Sequence, residues 1–568
     1  MINKSKPSEF IELLTPLRPY LFSAALFSCA INILMIVPAI YMLQVYDRAV
    51  GNQSLATLTM LTVIMIALLI AMGILDWTRG QIMSRASIRF DELLSKSIFE
   101  RNFRQSLLSG GRTNSQPLQD FNRVKSFIDG PTVNAFFDIP WLPIYILIMF
   151  AFHLYFGLIA ILSVFVLATL ALLNQKTTQK HIEEANKELS WVSNFVNSHI
   201  RNAEVIESMG MMSDIRQRWH QRNQSATQQQ TLAGDRSRIY SSSSKALRIM
   251  LQSLTLGLGA YLAINNEISG GMMIAGSILL GRALSPVDQL IGGWKSFQQV
   301  KEQFKRIDAL FTNIPANKDK MILPEPKGDI SVEAIRVVPP GSRVPILNGV
   351  SFNITAGTIL GIIGPSASGK STLARALLGI WPTVTGSVRL DNADVFKWNP
   401  EELGKHVGYL PQDIELFEGS ISDNISRFTC VDSKSEQIVE AARLAGVHDM
   451  ILHLPNGYDT VIGASGPVLS GGHRQRIGLA RALFGNPRLV ILDEPNSNLD
   501  DAGELALRQA LQYLKNNRVT VVVITHRPNI LSVVDKILVL KDGASLDFGA
   551  ADMIIKKYQK VSSLQKVK

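Results

Sequence analysis

Long apolar runs fill the first half of the chain and end near residue 290. Crossing a bilayer as a helix takes about 20 apolar residues. Runs long enough to do so lie at 21–43, 55–75, 133–151, 156–173, 246–264 and 271–290. The second and fourth runs are followed by long polar connections, and the other connections are short. The pattern therefore predicts six transmembrane helices and two long arms on one side of the membrane.

Lysine and arginine are concentrated in these two connections, over 79–125 and 176–245, and at the N-terminus. Cytoplasmic segments of membrane proteins carry such an excess of basic residues. We therefore expect a multi-pass membrane protein with both arms and both termini in the cytoplasm. The arms have helical periodicity, and at about 1.5 Å per residue they would carry the membrane helices tens of ångströms into the cytosol.

A globular pattern follows the last apolar run. Residues 300–309 continue a polar helix, and 312–328 contain Pro315, Pro324 and Pro326, which is typical of a surface linker. Residues 330–335 then alternate as in a strand. We predict an N-terminal cytoplasmic segment at 1–20, a transmembrane domain at 21–311, a linker at 312–328 and a soluble domain at 329–568.

Composition agrees with a membrane protein, with 46% hydrophobic and 18% charged residues. The net charge of +10 could indicate nucleic-acid binding. However, the basic residues are spread over the segments between apolar runs, so we expect no nucleic acid and take membrane lipid as the surrounding partner. Cys29 and Cys430 are too few for a disulfide framework and fit a reducing cytosol.

A phosphate-binding loop lies in the soluble half. Residues 364–371 fit G-x-x-x-x-G-K-[ST], after the apolar run 359–363 and before a predicted helix. Backbone N–H groups would cradle the phosphates of ATP, Lys370 would reach the β- and γ-phosphates, and Ser371 would ligate Mg²⁺. The predicted nucleotide-binding residues are Gly364, Pro365, Ser366, Ala367, Ser368, Gly369, Lys370, Ser371 and Thr372.

Two acidic residues end a second buried strand, 490–492. Asp493 fits the carboxylate that holds Mg²⁺, usually through water. Glu494 fits the general base that polarises the attacking water.

Between these motifs stands Leu469-Ser470-Gly471-Gly472-His473. The combination resembles the nucleotide-binding domain of ABC transporters. The resemblance implies a helical six-span transmembrane domain of the ABC exporter type followed by an α/β P-loop ATPase domain. It also implies coupling segments on the arms, which we place at 111–118 and 202–211.

The same resemblance implies further site residues. Gln412 would sense Mg²⁺ and the attacking water, His526 would contact the γ-phosphate and position Glu494, and Asp500 would lie at a dimer seam. Ser470, Gly471 and Gly472 would complete the ATP site of the opposite subunit, so a homodimer is expected.

Two departures from the family pattern stand out. His473 replaces the usual glutamine, which should be tolerated because the glycines contact the phosphate. The aromatic residue that normally stacks on adenine is missing, and its position falls within 337–340. We therefore expect stacking on the base to be weaker or to be replaced by apolar packing.

Residues 137–145 and 339–341 resemble the protease- and lipase-exporting type I secretion systems. This implies a location in the bacterial inner membrane. It also implies a periplasmic membrane-fusion adaptor, an outer-membrane efflux duct and a secreted protein cargo, unfolded and with a C-terminal signal. The roughly twenty residues before the first span leave no room for a leader peptidase domain. An exporter of lipid or small molecules, or an ATP-gated protein that transports nothing, remains an alternative.

Ionisable residues at membrane depth are Asp138, Arg282 and Asp288. Such groups face the interior of a bundle or a water-filled path. We expect either substrate contact or, with somewhat more weight, salt bridges near the interface.

Overall fold

A computed structural model describes residues 9–109, 115–200, 202–314, 320–429, 434–463 and 469–565. The chain divides into two compact units, Met1–Phe103 with Asn114–Pro315 and Arg104–Thr113 with Ala316–Lys568. The domain and linker limits derived from the sequence stay a prediction.

Helices make up the described secondary structure of the first unit. They are α1 Glu9–Leu13, α2 Arg18–Leu34, α3 Val37–Gln44, α4 Leu55–Leu108, α5 Gln116–Ile128, α6 Pro131–Asp138, α7 Leu142–Phe152, α8 Leu154–Ile200, α9 Ala203–Ser208, α10 Met212–Ile264 and α11 Gly270–Asn313. Short 3₁₀ turns at Thr15–Leu17 and Ile139–Trp141 and a π-helical turn at Val45–Val50 connect some of them.

Six helical stretches in the described residues are long and apolar enough to cross a membrane, which confirms the predicted number of spans. The helices α4, α8, α10 and α11 have 54, 47, 53 and 44 residues, and each extends well beyond its apolar run. A helix of 54 residues is about 80 Å long, which is far more than a bilayer requires.

A polar network joins α2, α4, α6 and α7 at the predicted start of the third span. Arg79, 5% exposed, donates to Ser28 Oγ at 2.9 Å and to Asp138 Oδ1 at 3.1 Å. Asn32 Nδ2 donates to the same carboxylate oxygen at 2.8 Å, and Tyr145 OH donates to the Asn32 carbonyl at 2.8 Å. Asp138 therefore forms an ion pair that joins α4 and α6, and a contact with substrate stays a prediction.

The same outcome holds for Asp288 on α11. Its carboxylate accepts from Ser244 Oγ at 2.6 Å and pairs with Arg248 Nε at 3.2 Å, both on α10. These bonds satisfy a charge that would otherwise be costly to bury.

A second buried arginine binds the C-terminal end of α11. Arg101, 4% exposed on α4, donates to the carbonyls of Phe311 and Ile314 at 3.0 and 2.6 Å and to Glu9 Oε1 at 2.8 Å. A cation is favourable at a helix C-terminus, where the last carbonyls lack helical partners. Arg101 therefore holds α1, α4 and α11 together.

The second unit is α/β. Its elements are β1 Ile330–Val337, β2 Leu347–Ile354, β3 Ile359–Ile363, α12 Lys370–Leu377, β4 Thr383–Leu390, β5 Ala393–Asp394, α13 Pro400–His406, β6 Val407–Leu410, β7 Gly419–Ser420, α14 Ile421–Ser426, α15 Ser435–Leu444, α16 His448–Leu452, β8 Val461–Ile462, α17 Gly471–Leu483, β9 Leu489–Asp493, α18 Asp501–Asn516, β10 Thr520–Ile524, α19 Pro528–Leu531, β11 Lys536–Lys541, β12 Ala544–Ala550 and α20 Ala551–Gln565.

A six-stranded sheet in the order β12-β11-β3-β10-β9-β6 forms the centre of this unit. All its neighbouring strands pair in parallel except β11 and β12. Strands β9 and β10 are buried along their whole length, as expected for parallel strands covered on both faces. The carboxyl ends of β3, β6, β9 and β10 lie at one edge, where α/β sheets bind ligands. A four-stranded antiparallel sheet, β2-β1-β4-β5, packs its apolar face into a hydrophobic core that it shares with the six-stranded sheet.

Candidate nucleotide-binding and hydrolysis site

The loop between β3 and α12 depends on two glycines. A Cβ on Gly364 would lie 2.1 Å from the Leu540 carbonyl oxygen, and one on Gly369 would lie 2.6 Å from Leu347 Cδ2. Gly369 also has φ +96°, a conformation that a residue with a Cβ adopts only with strain. The loop is therefore compact, and α12 begins directly after it with its N–H groups towards the loop.

Lys370 opens α12 and is folded onto the loop. Its Nζ donates to the carbonyls of Gly364 and Pro365, each at 2.9 Å. Burial lowers its pKa, and the negative charges of Glu494 and Asp493 oppose that shift. The ammonium thus lies where phosphate oxygens could replace the loop carbonyls as its partners.

Asp493 ends β9 and is 2% exposed. Burial raises the pKa of its carboxyl, although a hydrogen bond with the Ser371 side chain acts in the other direction. Its Oδ1 has no hydrogen-bond partner among the described residues. A buried carboxylate oxygen without a partner is costly, and a cation would satisfy it.

The arrangement fits Mg²⁺ held together with phosphates. Mg²⁺ is usually bound by one or two carboxylates plus substrate phosphates and water. Among the described residues no group of three His, Cys, Asp or Glu side chains could hold a metal ion alone. Asp493 and Ser371 therefore offer the oxygen ligands that a nucleotide-borne Mg²⁺ needs.

Glu494 follows in a strained backbone conformation, with φ +49°. Its N–H donates to the Ile524 carbonyl at 3.0 Å, and this bond ties the turn to β10. Gln412 Nε2 donates to Glu494 Oε2 at 3.1 Å, and His526 Nε2 lies 4.0 Å from Oε1. Residues from the ends of β6, β9 and β10 thus meet at one carboxylate, as the strand order requires.

Ser470 is the N-cap of α17, and its Oγ accepts from the His473 N–H at 3.2 Å. The bond uses the backbone of His473, so it does not depend on the side chain at that position. A Cβ on Gly472 would lie 2.9 Å from the Asn498 carbonyl oxygen. No described hydrogen bond or ion pair connects Ser470, Gly471 or Gly472 with the phosphate-binding loop of the same chain.

Asp500 is the N-cap of α18 and accepts from the Gly503 N–H at 2.9 Å. This bond and the ion pair with Arg476 lower the pKa of its carboxyl. The side chain is otherwise exposed, so a role at a dimer seam stays a prediction.

Sequence reasoning missed Gln475, which is 1% exposed on α17. Its Nε2 donates to the Glu494 carbonyl at 3.2 Å, and its Oε1 accepts from the Asn498 N–H at 2.9 Å. The only sequence signal was its place one turn after Ser470. Gln475 joins the start of α17 to the turn that carries the proposed base.

An apolar side chain lies beside the phosphate-binding loop, a few residues after the positions 337–340 where the adenine-stacking aromatic residue is missing. Ile346 Cγ2 lies 3.1 Å from a Cβ placed on Gly369, and Ile346 and Val344 are both exposed. This agrees with replacement of the aromatic residue by apolar packing, which stays a prediction.

Comparison with known proteins identifies both halves. The family described as ABC transporter matches residues 347–497, and the ABC transporter transmembrane region matches 20–285. The type I secretion system ATP-binding protein PrsD of Rhizobium meliloti (strain 1021) is 42% identical over 93% of this chain and 91% of its own. The alpha-hemolysin translocation ATP-binding protein HlyB of Escherichia coli O157:H7 is 29% identical over 97% of this chain and 78% of its own.

A structure of a bacterial Atm1-family ABC exporter with ATP bound has a TM-score of 0.81, covers 97% of this chain and 98% of its own, and is 22% identical. It supports the fold alone. The fold, both family matches and the 42% identical relative agree: the chain belongs to the ABC transporters of the type I secretion group, as a multi-pass inner-membrane protein whose ATPase domain binds ATP and couples its hydrolysis to transport.

Proposed function

We propose that this chain exports an unfolded protein with a C-terminal signal from the bacterial cytoplasm, as the inner-membrane component of a type I secretion system. The main support is the 42% identity to a type I secretion protein over 93% of the chain. A periplasmic membrane-fusion adaptor and an outer-membrane efflux duct are the expected partners. The basic arms support a topology with both termini in the cytoplasm.

The loop 364–369 and the start of α12 would hold the phosphates of ATP, with Thr372 in the first turn of that helix. Lys370 would leave the carbonyls of Gly364 and Pro365 for the β- and γ-phosphates. Ser371 and Asp493 would hold Mg²⁺, which neutralises phosphate charge when bound. The unpartnered Asp493 oxygen supports this assignment.

Glu494 would take the proton of the attacking water. Gln412, bonded to its carboxylate at 3.1 Å, would orient that carboxylate and contact the water and Mg²⁺. His526, 4.0 Å away, would contact the γ-phosphate and fix the same carboxylate from the other side. The three residues converge on one point, which supports hydrolysis there rather than binding alone.

A homodimer would complete each site. Ser470, Gly471 and Gly472 present the N–H groups of α17, a suitable anion site. They make no described bond to their own chain's phosphate loop, so the nucleotide of a second copy is the natural partner. Asp500 would then lie at the seam between copies.

The deciding experiment is cargo-dependent hydrolysis by the reconstituted full chain. Peptides covering the last residues of proteins that co-purify with the crosslinked exporter from its host should stimulate ATP hydrolysis several-fold. Stimulation by lipid or small molecules alone would favour the exporter of lipid or small molecules. Cargo release that persists in Glu494→Gln would favour an ATP-gated protein that performs no driven transport.

A further inference from the structure

A polar cleft lies in the first unit between the cytoplasmic parts of α5, α8 and α11, and it encloses about 220 Å³. Nine of its fourteen lining residues carry an amide or a hydroxyl, and Leu189 is its one apolar lining residue. Side-chain amides donate and accept hydrogen bonds at once, and hydroxyls do the same. The cleft is therefore lined by groups that can bond to either polar atom of a peptide unit.

Gln303 on α11 shows that this lining is not fully satisfied. The residue is 3% exposed, and its Oε1 has no hydrogen-bond partner among the described residues. A buried acceptor without a donor costs free energy. Gln303 is one of the residues that line the cleft, so after a turn of its side chain an N–H group that enters the cleft could supply the missing donor.

The charged groups at the cleft balance. Two are acidic and two are basic, namely Asp120, Glu302, Arg123 and Arg306. Arg306 binds Asp120 in a bidentate manner at 2.7 and 2.9 Å, and Glu302 accepts from Lys305 at 2.8 Å. The cleft thus has little preference for an acidic or a basic ligand.

We propose that this cleft binds the main chain of an extended polypeptide in transit, through hydrogen bonds that do not depend on cargo sequence. This rests on the proposed function. An unfolded chain exposes one N–H and one C=O at nearly every residue, and each bond exchanged with water contributes little. Such contacts are weak and can form again at each residue, which suits a polypeptide that must keep moving through the transporter.

Photocrosslinking of the full-length, reconstituted protein tests the proposal. Both native cysteines are first removed by Cys29→Ser and Cys430→Ser. A benzophenone is then attached at Ser193→Cys on the cleft wall. The matched control carries it at Ser198→Cys, which is exposed on the same helix outside the cleft. The probe is a fluorescent (Gly-Ser) peptide of about twenty residues, which offers main chain and almost no side chain. We expect at least five-fold more labelling from position 193 than from position 198.

Two further arms examine the hydrogen bonds. Replacing every glycine of the probe by N-methylglycine removes half of its N–H donors and should lower labelling at least three-fold. Gln303→Leu should lower it similarly, and Gln303→Glu, which keeps an acceptor, should not. The N-methyl arm needs no change in the wall, so it remains decisive if Gln303→Leu misfolds.

Equal labelling from both positions, or equal labelling by both probes, would overturn the proposal. So would crosslinks between two copies of the chain that the probe does not reduce, because the cleft would then be a seam of the dimer. Cargo-stimulated ATP hydrolysis, measured on the same preparations, distinguishes a failure of the cleft proposal from a failure of the proposed export function. If it persists while the cleft stays unlabelled, this inference fails and the export function stands.

Discussion

Two aspartates, one in each unit, differ in what their carboxylates contact. Asp138 in the membrane unit accepts from Asn32 and Arg79 at Oδ1, and its ion pair with Arg79 joins the helices around it. Asp493 in the ATPase unit is buried and bonds with Ser371, but its Oδ1 has no partner among the described residues. The same side chain therefore serves packing where an arginine is its partner, and it keeps the capacity to bind a ligand where a buried oxygen has none.

The largest expected effect is on ATP hydrolysis at the site that contains Asp493. Glu494→Gln removes the proposed general base and should lower the rate of ATP hydrolysis by about 10²- to 10⁴-fold. ATP should still bind, because the phosphate loop is unchanged. Steady-state hydrolysis and nucleotide retention measure the two effects. Glu401→Gln, at an exposed position on α13, is the matched control and should leave both unchanged.

Asp138→Asn tests the aspartate that is paired with an arginine. It leaves the guanidinium of Arg79 buried with Asp76 as its one charged partner among the described residues, so the free energy of unfolding should fall by about 3 kcal/mol. Adding Arg79→Gln should recover part of the loss, because the uncompensated charge is then gone. Denaturant titration in detergent measures both. Asp235→Asn, in an exposed pair on α10, should change little.

Replacing Asp493 by asparagine should have the opposite effect on the free energy of unfolding. Asp493→Asn removes a buried charge and should raise the free energy of unfolding of the nucleotide-free protein by about 1–2 kcal/mol near neutral pH, while abolishing hydrolysis. Destabilisation by Asp493→Asn at neutral pH would contradict the comparison.

The pH dependence follows from the raised pKa of Asp493. Between the unfolded value of 3.8 and the higher folded value, the folded state binds the proton more tightly than the unfolded state. The Asp493 contribution to stability is therefore lost as the pH rises through that window. The gain from Asp493→Asn should be present above the window and vanish below it, which unfolding titrations at several pH values would show.

The smallest effect concerns the backbone at Glu494. Its positive φ strains any residue with a Cβ, so Glu494→Gly should be more stable than Glu494→Ala by about 1 kcal/mol. At Glu504, inside α18, the order should reverse by a similar amount. Thermal unfolding of the four variants tests both; the same order at both positions would exclude strain at Glu494.

Local patterns predicted the spans and the phosphate loop, because apolar run length and strand–glycine–helix order are written in consecutive residues. The segment 111–118 could be followed only in part, since 111–114 lie outside the described residues. At 202–211 a short helix, Ala203–Ser208, is present, and its coupling role stays a prediction.

Long-range contacts could not be predicted. Arg101 bonds carbonyls more than 200 positions along the chain, and nothing in its neighbourhood distinguishes it from the other basic residues of the arm. Gln475 was hidden for the same reason, because its partners become neighbours only when α17 packs beside the end of β9.

In the proposed dimer, one buried glutamine would connect the two nucleotide sites. Gln475 holds the carbonyl of Glu494 and the N–H of Asn498, and it belongs to the helix that Ser470 begins. If ATP bound by the neighbouring subunit displaced that helix, the displacement would reach Glu494, the proposed base for hydrolysis of the chain's own ATP, through the amide of Gln475. Coupling between the two nucleotide sites would then depend on a single side chain.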